Sequence, residues 1–144
     1  MINKSYLIEQ NINLLDKKIF LFFGENLGLK NELKDKIILQ NKESEIISFL
    51  QEEILKKEEL LYNEIYNISL FEKKKIFFID QVNDKLLNII KEIEPRIDSQ
   101  KIYLFSEILD KKSKIRDYFE KSKIHGAVAC YADNELSIKK IILN

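Results

Sequence analysis

The residues with most chemical promise sit in one turn, Gly24-Glu25-Asn26-Leu27-Gly28-Leu29-Lys30-Asn31, directly after a short apolar run. A phosphate-binding loop there needs Gly-x-x-x-x-Gly-Lys-[Ser/Thr]. Its glycines let backbone amides wrap a phosphate, its lysine reaches the outer phosphates and its hydroxyl holds Mg²⁺. Here the glycines stand one residue too close, Lys30 does not directly follow Gly28, and Asn31 replaces the hydroxyl. Glu25 adds negative charge where a phosphate would sit. Gly24, Gly28 and Lys30 therefore read as a degenerate loop kept for strand-to-helix geometry, with no nucleotide bound.

Asp80 ends the apolar run 76–79, where a nucleotide hydrolase places its Mg²⁺-binding aspartate, but Gln81 follows where a water-activating acid is needed. A helix N-cap is the plainer expectation for Asp80. A phosphorylatable receiver domain would use the same aspartate. Glu25 matches its acid cluster in part and Ser106 is suitably placed, yet Tyr131-Ala132-Asp133 supplies no lysine.

Ile68-Ser69-Leu70-Phe71 lies between a helical pattern and an apolar strand, just before Lys73, Lys74 and Lys75. Periodicity leaves two readings open. Phe71 either continues a helical stripe into the core or belongs to an exposed apolar tip, which marks a partner site. Connections from helix to parallel strand lie at the amino-terminal edge of a sheet, opposite any nucleotide pocket.

Other candidates read blandly. Asp110 to Lys123 is a mildly basic helix with a solvated face, so any DNA contact would be weak or indirect. Cys130, the only cysteine, reads as a small buried hydrophobe. His125, the only histidine, precedes Gly126 at a helix-to-strand turn and reads as a cap. With one of each, no disulfide, cysteine-based zinc site or metal cluster is expected.

The elements that must position these residues alternate in type. Runs at 19–23, 76–79, 102–105 and 127–131, and a weaker one at 45–49, are apolar on both faces, as buried parallel strands are. Between them, Leu29, Leu33 and Ile37 recur at helical spacing, as do Leu50 with Ile54, Leu61 with Ile65, Leu86 with Ile90 and Ile93, and Ile115 with Phe119. Tyr6 to Leu15 reads as a leading helix, Asn134 to Leu143 as a trailing one, and 94–99 as a long loop. The pattern predicts one α/β domain over 1–144, a three-layer parallel sheet of about five strands with right-handed crossovers. The trailing pattern reaches Asn144, so the chain is expected to belong to a longer protein.

Composition narrows the functions. The 144 residues hold 24 basic and 24 acidic side chains, so no global charge draws the chain to nucleic acid or membrane. No apolar stretch nears the roughly 20 residues of a membrane span, and the start lacks a signal-peptide layout. A cytoplasmic location is expected.

The order of these features resembles the N-terminal domain of the delta subunit of the bacterial DNA polymerase III clamp loader. The likeness runs through Ile19 to Gly24 with Glu25, then Ser69-Leu70-Phe71 ahead of a basic residue and a strand, then Tyr103-Leu104-Phe105. It continues through Leu109-Asp110-Lys111-Lys112-Ser113-Lys114 and Cys130-Tyr131-Ala132-Asp133-Asn134-Glu135. The resemblance implies a P-loop NTPase/AAA+-like fold without a working nucleotide site, no cofactor and no catalysis of its own within the polymerase assembly. It implies that Leu70 and Phe71, with Ser69 in the same tip, insert into the sliding clamp (the beta subunit) and help open its ring. Other clamp-loader subunits would bind through lid and collar domains that these residues do not include. A degenerate P-loop hydrolase and a receiver-like signalling domain are the alternatives.

Overall fold

The computed structural model describes residues 17–66 and 74–131, together with the backbone of 2–4. The expected helices at 6–15 and 134–143 lie outside these residues.

Six strands form one sheet in the order β1-β6-β2-β5-β4-β3: β1 Ile2–Lys4, β2 Ile19–Phe23, β3 Glu45–Leu50, β4 Lys75–Asp80, β5 Lys101–Phe105 and β6 Gly126–Ala129. Every neighbouring pair is parallel. The sheet thus exceeds the expected five strands by β1, whose three residues are too few to show a period.

Alternation along β2 explains the layers. Ile19, Leu21 and Phe23 enter one core, and Phe20 and Phe22 the other. The second core is closed by α1 (Leu27–Gln40) through Leu29, Leu33 and Ile37, one helical turn apart. The first is closed by α2 (Gln51–Lys56), α3 (Glu59–Tyr66), α4 (Leu87–Ile93) and α5 (Lys114–Lys121), through Ile54, Leu61, Ile65, Ile90, Ile93, Ile115 and Phe119. Helices on both faces make the three-layer α/β fold. Each fully buried Phe of β2 contributes about 1.5–3 kcal/mol.

Several local expectations change. Leu50 ends β3 and is 41% exposed, so it does not share a buried stripe with Ile54. The basic helix is shorter than 110–123: Ser113 caps it, accepting from the Arg116 amide, and residues 114–121 are helical. The stretch 94–99 opens with a 3-10 turn, Glu94–Arg96, before its loop. Cys130 lies one residue beyond β6 and is fully buried.

Candidate functional site

The chain leaves β2 at Phe23 and turns at Gly24, whose φ is +123°. That conformation suits glycine alone. A Cβ at this position would stand 2.1 Å from the Cys130 carbonyl oxygen. The Gly24 amide donates to Glu107 O (2.8 Å) and the Asn26 amide to Cys130 O (3.0 Å). Asn26 then caps α1: its Oδ1 accepts from the Leu29 amide at 3.0 Å, and its Nδ2 donates to Tyr131 O at 3.2 Å. The Leu27 amide donates to Glu25 O at 2.9 Å. The amides of 24, 26, 27 and 29 thus point at protein acceptors, whereas a phosphate cradle needs such donors converging on an anion.

The side chains behave alike. Lys30 is 6% exposed, and its ammonium donates to the Ser106 carbonyl at 2.8 Å. Asp80 is not a helix cap; Asn83 caps the following 3-10 turn, Asp84–Leu86. The Asp80 carboxylate instead accepts from Lys34 Nζ at 2.9 and 3.1 Å, and that ammonium lies 4.5 Å from the Phe105 ring centre. Ser106 is buried and donates its hydroxyl to Val82 O at 2.7 Å. Lys30, Asp80 and Ser106 therefore lie at the carboxyl ends of β2, β4 and β5, each bonded to another protein group.

Beside them an open groove of about 370 Å³ is lined by Gln51, Gln81, Asn83, Ser106 and Ile108. Gln81 has a φ of +56°, uncommon for a residue with a side chain. Among the described residues, no group of three or more His, Cys, Asp or Glu could hold a metal ion.

At the opposite edge, α3 ends at Tyr66 and β4 starts at Lys75. Ser69, Leu70 and Phe71 lie outside the described residues. Their flanks are tied down. Gln100 Nε2 donates to Ile65 O at 2.8 Å, and Lys75 Nζ to Glu64 O at 2.9 Å, so two carbonyls in the last turn of α3 are satisfied. Tyr66, 41% exposed, stacks on Tyr62 and carries the Arg96 guanidinium 4.9 Å from its ring centre.

The same edge holds a cluster that sequence reading did not find. His125 is 3% exposed and its Nε2 meets the Glu94 carboxylate, so the ring is a core residue rather than a cap. The Tyr118 hydroxyl donates to that carboxylate, with both oxygens within 2.8 Å. Burial, reinforced by Glu94, pushes the Tyr118 hydroxyl up to about 12. Burial also pushes the His125 imidazole below its ordinary 6.5, against the pull of Glu94. Glu94 stands 31 residues from His125, and no local pattern links them.

No protein-family model matches the sequence, and no curated protein does. Among solved structures, the DNA clamp loader delta protein (YqeN) of Bacillus subtilis matches with a TM-score of 0.70 over 94% of this chain at 11% identity. The chain spans 45% of that protein's length. At this identity the likeness establishes the fold alone, a three-layer parallel α/β domain. No helix among the described residues is long and apolar enough to cross a membrane.

Proposed function

We propose that this chain is the clamp-binding domain of a clamp-loader delta subunit, acting in DNA replication in the cytoplasm without catalysis of its own. The observation that carries the reading is the fold shared over 94% of the chain with the Bacillus subtilis DNA clamp loader delta protein. The carboxyl-edge turn supports it, because the amides, lysine and aspartate that phosphate chemistry would use already bond to protein groups.

In this reading, Leu70 and Phe71 enter an apolar pocket of the sliding clamp and Ser69 shapes the tip. Burying the two side chains contributes about 1.5–3 kcal/mol each, the scale of an interface hot spot. The described residues on either side of 67–73, Ile65 and Lys75, are held by hydrogen bonds at that edge of the sheet. Ring opening needs no chemistry: a partner that binds the open form better shifts the population toward it. ATP hydrolysis, and contact with other loader subunits through lid and collar domains, belong to the remainder of the assembly.

The test is binding to the purified sliding clamp of the same organism. Leu70→Ala/Phe71→Ala lowers affinity at least about a hundredfold, with circular dichroism and melting unchanged. Undiminished binding by the double variant sinks the assignment of this tip. A wild-type melting temperature raised by millimolar Mg²⁺-ATP would instead favour a nucleotide-binding domain.

A further inference from the structure

Among the described residues the sheet ends on one side at β3, which there pairs with β4 alone. Its register with β4 is unbroken over all six residues, from Glu45 opposite Lys75 to Leu50 opposite Asp80. Natural edge strands are usually guarded by a bulge, a proline or a lysine. The segment Glu45-Ile46-Ile47-Ser48-Phe49-Leu50 has none of these. Ile46, Ile47 and Phe49 are only half-buried, and Ser48 and Leu50 are exposed.

The hydrogen bonding shows which backbone groups face outward. The Glu45 amide donates to Lys74 O at 2.8 Å, so Glu45, Ile47 and Phe49 direct their backbone groups at β4. By alternation, Ile46, Ser48 and Leu50 direct theirs away from the sheet. The Leu50 amide donates to Glu53 Oε1 at 3.0 Å, which covers one end of the edge.

We propose that this edge pairs antiparallel with β3 of a second copy of the chain, with Ser48 opposite its own counterpart on the two-fold axis. Antiparallel pairing joins outward residue to outward residue, and side chains opposite one another share a face. This register meets both conditions. It sets Ile46 opposite Leu50 of the second copy on one face, and Ile47 opposite Phe49 on the other. The chain turns into α2 at Gln51, so Glu45 has no residue opposite it and no like charges meet. A shift of two residues one way places Glu45 against Phe49. A shift the other way carries Ile46 and Ile47 past the end of the partner strand at Leu50, where α2 begins. An odd shift brings residues already bonded to β4 to the interface. The strand is thus self-complementary in one register, which selects a second copy over an unrelated extended peptide. This inference is independent of the clamp-binding reading.

About four interstrand hydrogen bonds form even while Glu53 keeps the Leu50 amide. A lone strand pair buries less than the roughly 1,200 Å² of a stable interface, so the dimer is weak, with a dissociation constant on the order of 10–100 µM.

Sedimentation equilibrium of the full 144-residue chain, from about 1 to about 500 µM, spans that range. We expect a concentration-dependent dimer. Ser48→Lys, which sets two ammonium groups face to face, weakens it at least about tenfold. Ser48→Pro, which removes an outward amide and leaves the bonds to β4 intact, does the same. Both variants keep the wild-type circular dichroism spectrum. Under mild oxidation, Ser48→Cys cross-links dimers faster than Glu45→Cys. A chain that stays monomeric throughout overturns the proposal, as does a dimer indifferent to Ser48→Lys. Faster cross-linking through Glu45→Cys overturns the register.

Discussion

Replacing Gly24 with alanine tests whether the carboxyl-edge turn is held by protein contacts rather than kept for a phosphate. The new Cβ would lie 2.1 Å from Cys130 O and 2.5 Å from Cys130 C, both backbone atoms that no rotamer change can move aside. Relief requires the 130 segment to move away from β2. That stretches the bonds from the Asn26 amide to Cys130 O (3.0 Å) and from the Cys130 amide to Phe23 O (2.6 Å). Losing two such bonds costs about 1 kcal/mol each. Holding a residue with a side chain at φ +123° costs a further 1–3 kcal/mol or so. The sum, about 3–5 kcal/mol, is a large share of the ~5–15 kcal/mol that stabilises a domain. Urea unfolding followed by circular dichroism reads it as a lower midpoint at constant slope. Gly28 is the internal control. It sits in α1, and an added Cβ would meet only Asn26 Oδ1 at 3.7 Å, an ordinary contact. Gly28→Ala should stabilise by roughly 0.5 kcal/mol. The reasoning fails if Gly24→Ala costs less than about 1 kcal/mol. It also fails if both variants keep their stability but lose a wild-type response to Mg²⁺-ATP, as a phosphate loop would.

Three further outcomes follow from the geometry. His125 has a folded-state pKa below its unfolded 6.5, so the unfolded chain binds more protons between those values and stability rises with pH through that window and is lost as pH falls; His125→Gln should flatten the slope of urea midpoint against pH below about 6.5. Ser113→Ala removes the cap of α5 and the hydroxyl that donates to Asp84 at 2.6 Å, and should cost about 1 kcal/mol in the same unfolding assay. Gln100→Leu takes the donor from Ile65 O, so α3 should lose about 1 kcal/mol and show faster amide exchange in its last turn.

Much of this molecule was legible from periodicity. The strands 19–23, 76–79 and 102–105 are apolar without interruption because both faces are covered, and Leu29, Leu33 and Ile37 mark the single face α1 buries. The degenerate turn was legible because phosphate binding demands fixed residue types at fixed spacing, and their lack shows in the string itself. Edge strands read less clearly. β3 has its apolar residues half-exposed, and Leu50 sits in the strand where helical spacing tied it to Ile54.

Local residue order settles the layering of the fold and shows the departure of the Gly24 turn from the phosphate-loop pattern. It also singled out Ser69, Leu70 and Phe71, whose contacts await the clamp assay. The partners of the side chains around the Gly24 turn come from the three-dimensional fold. Lys30 bonds to a carbonyl 76 residues away, and Asp80 to a lysine 46 residues away. It alone brought His125 to Glu94 and Tyr118, and left β3 at the rim of the sheet with its backbone turned outward. Strand order and crossovers create these meetings, and a one-dimensional pattern carries the period of an element but not the identity of its neighbour.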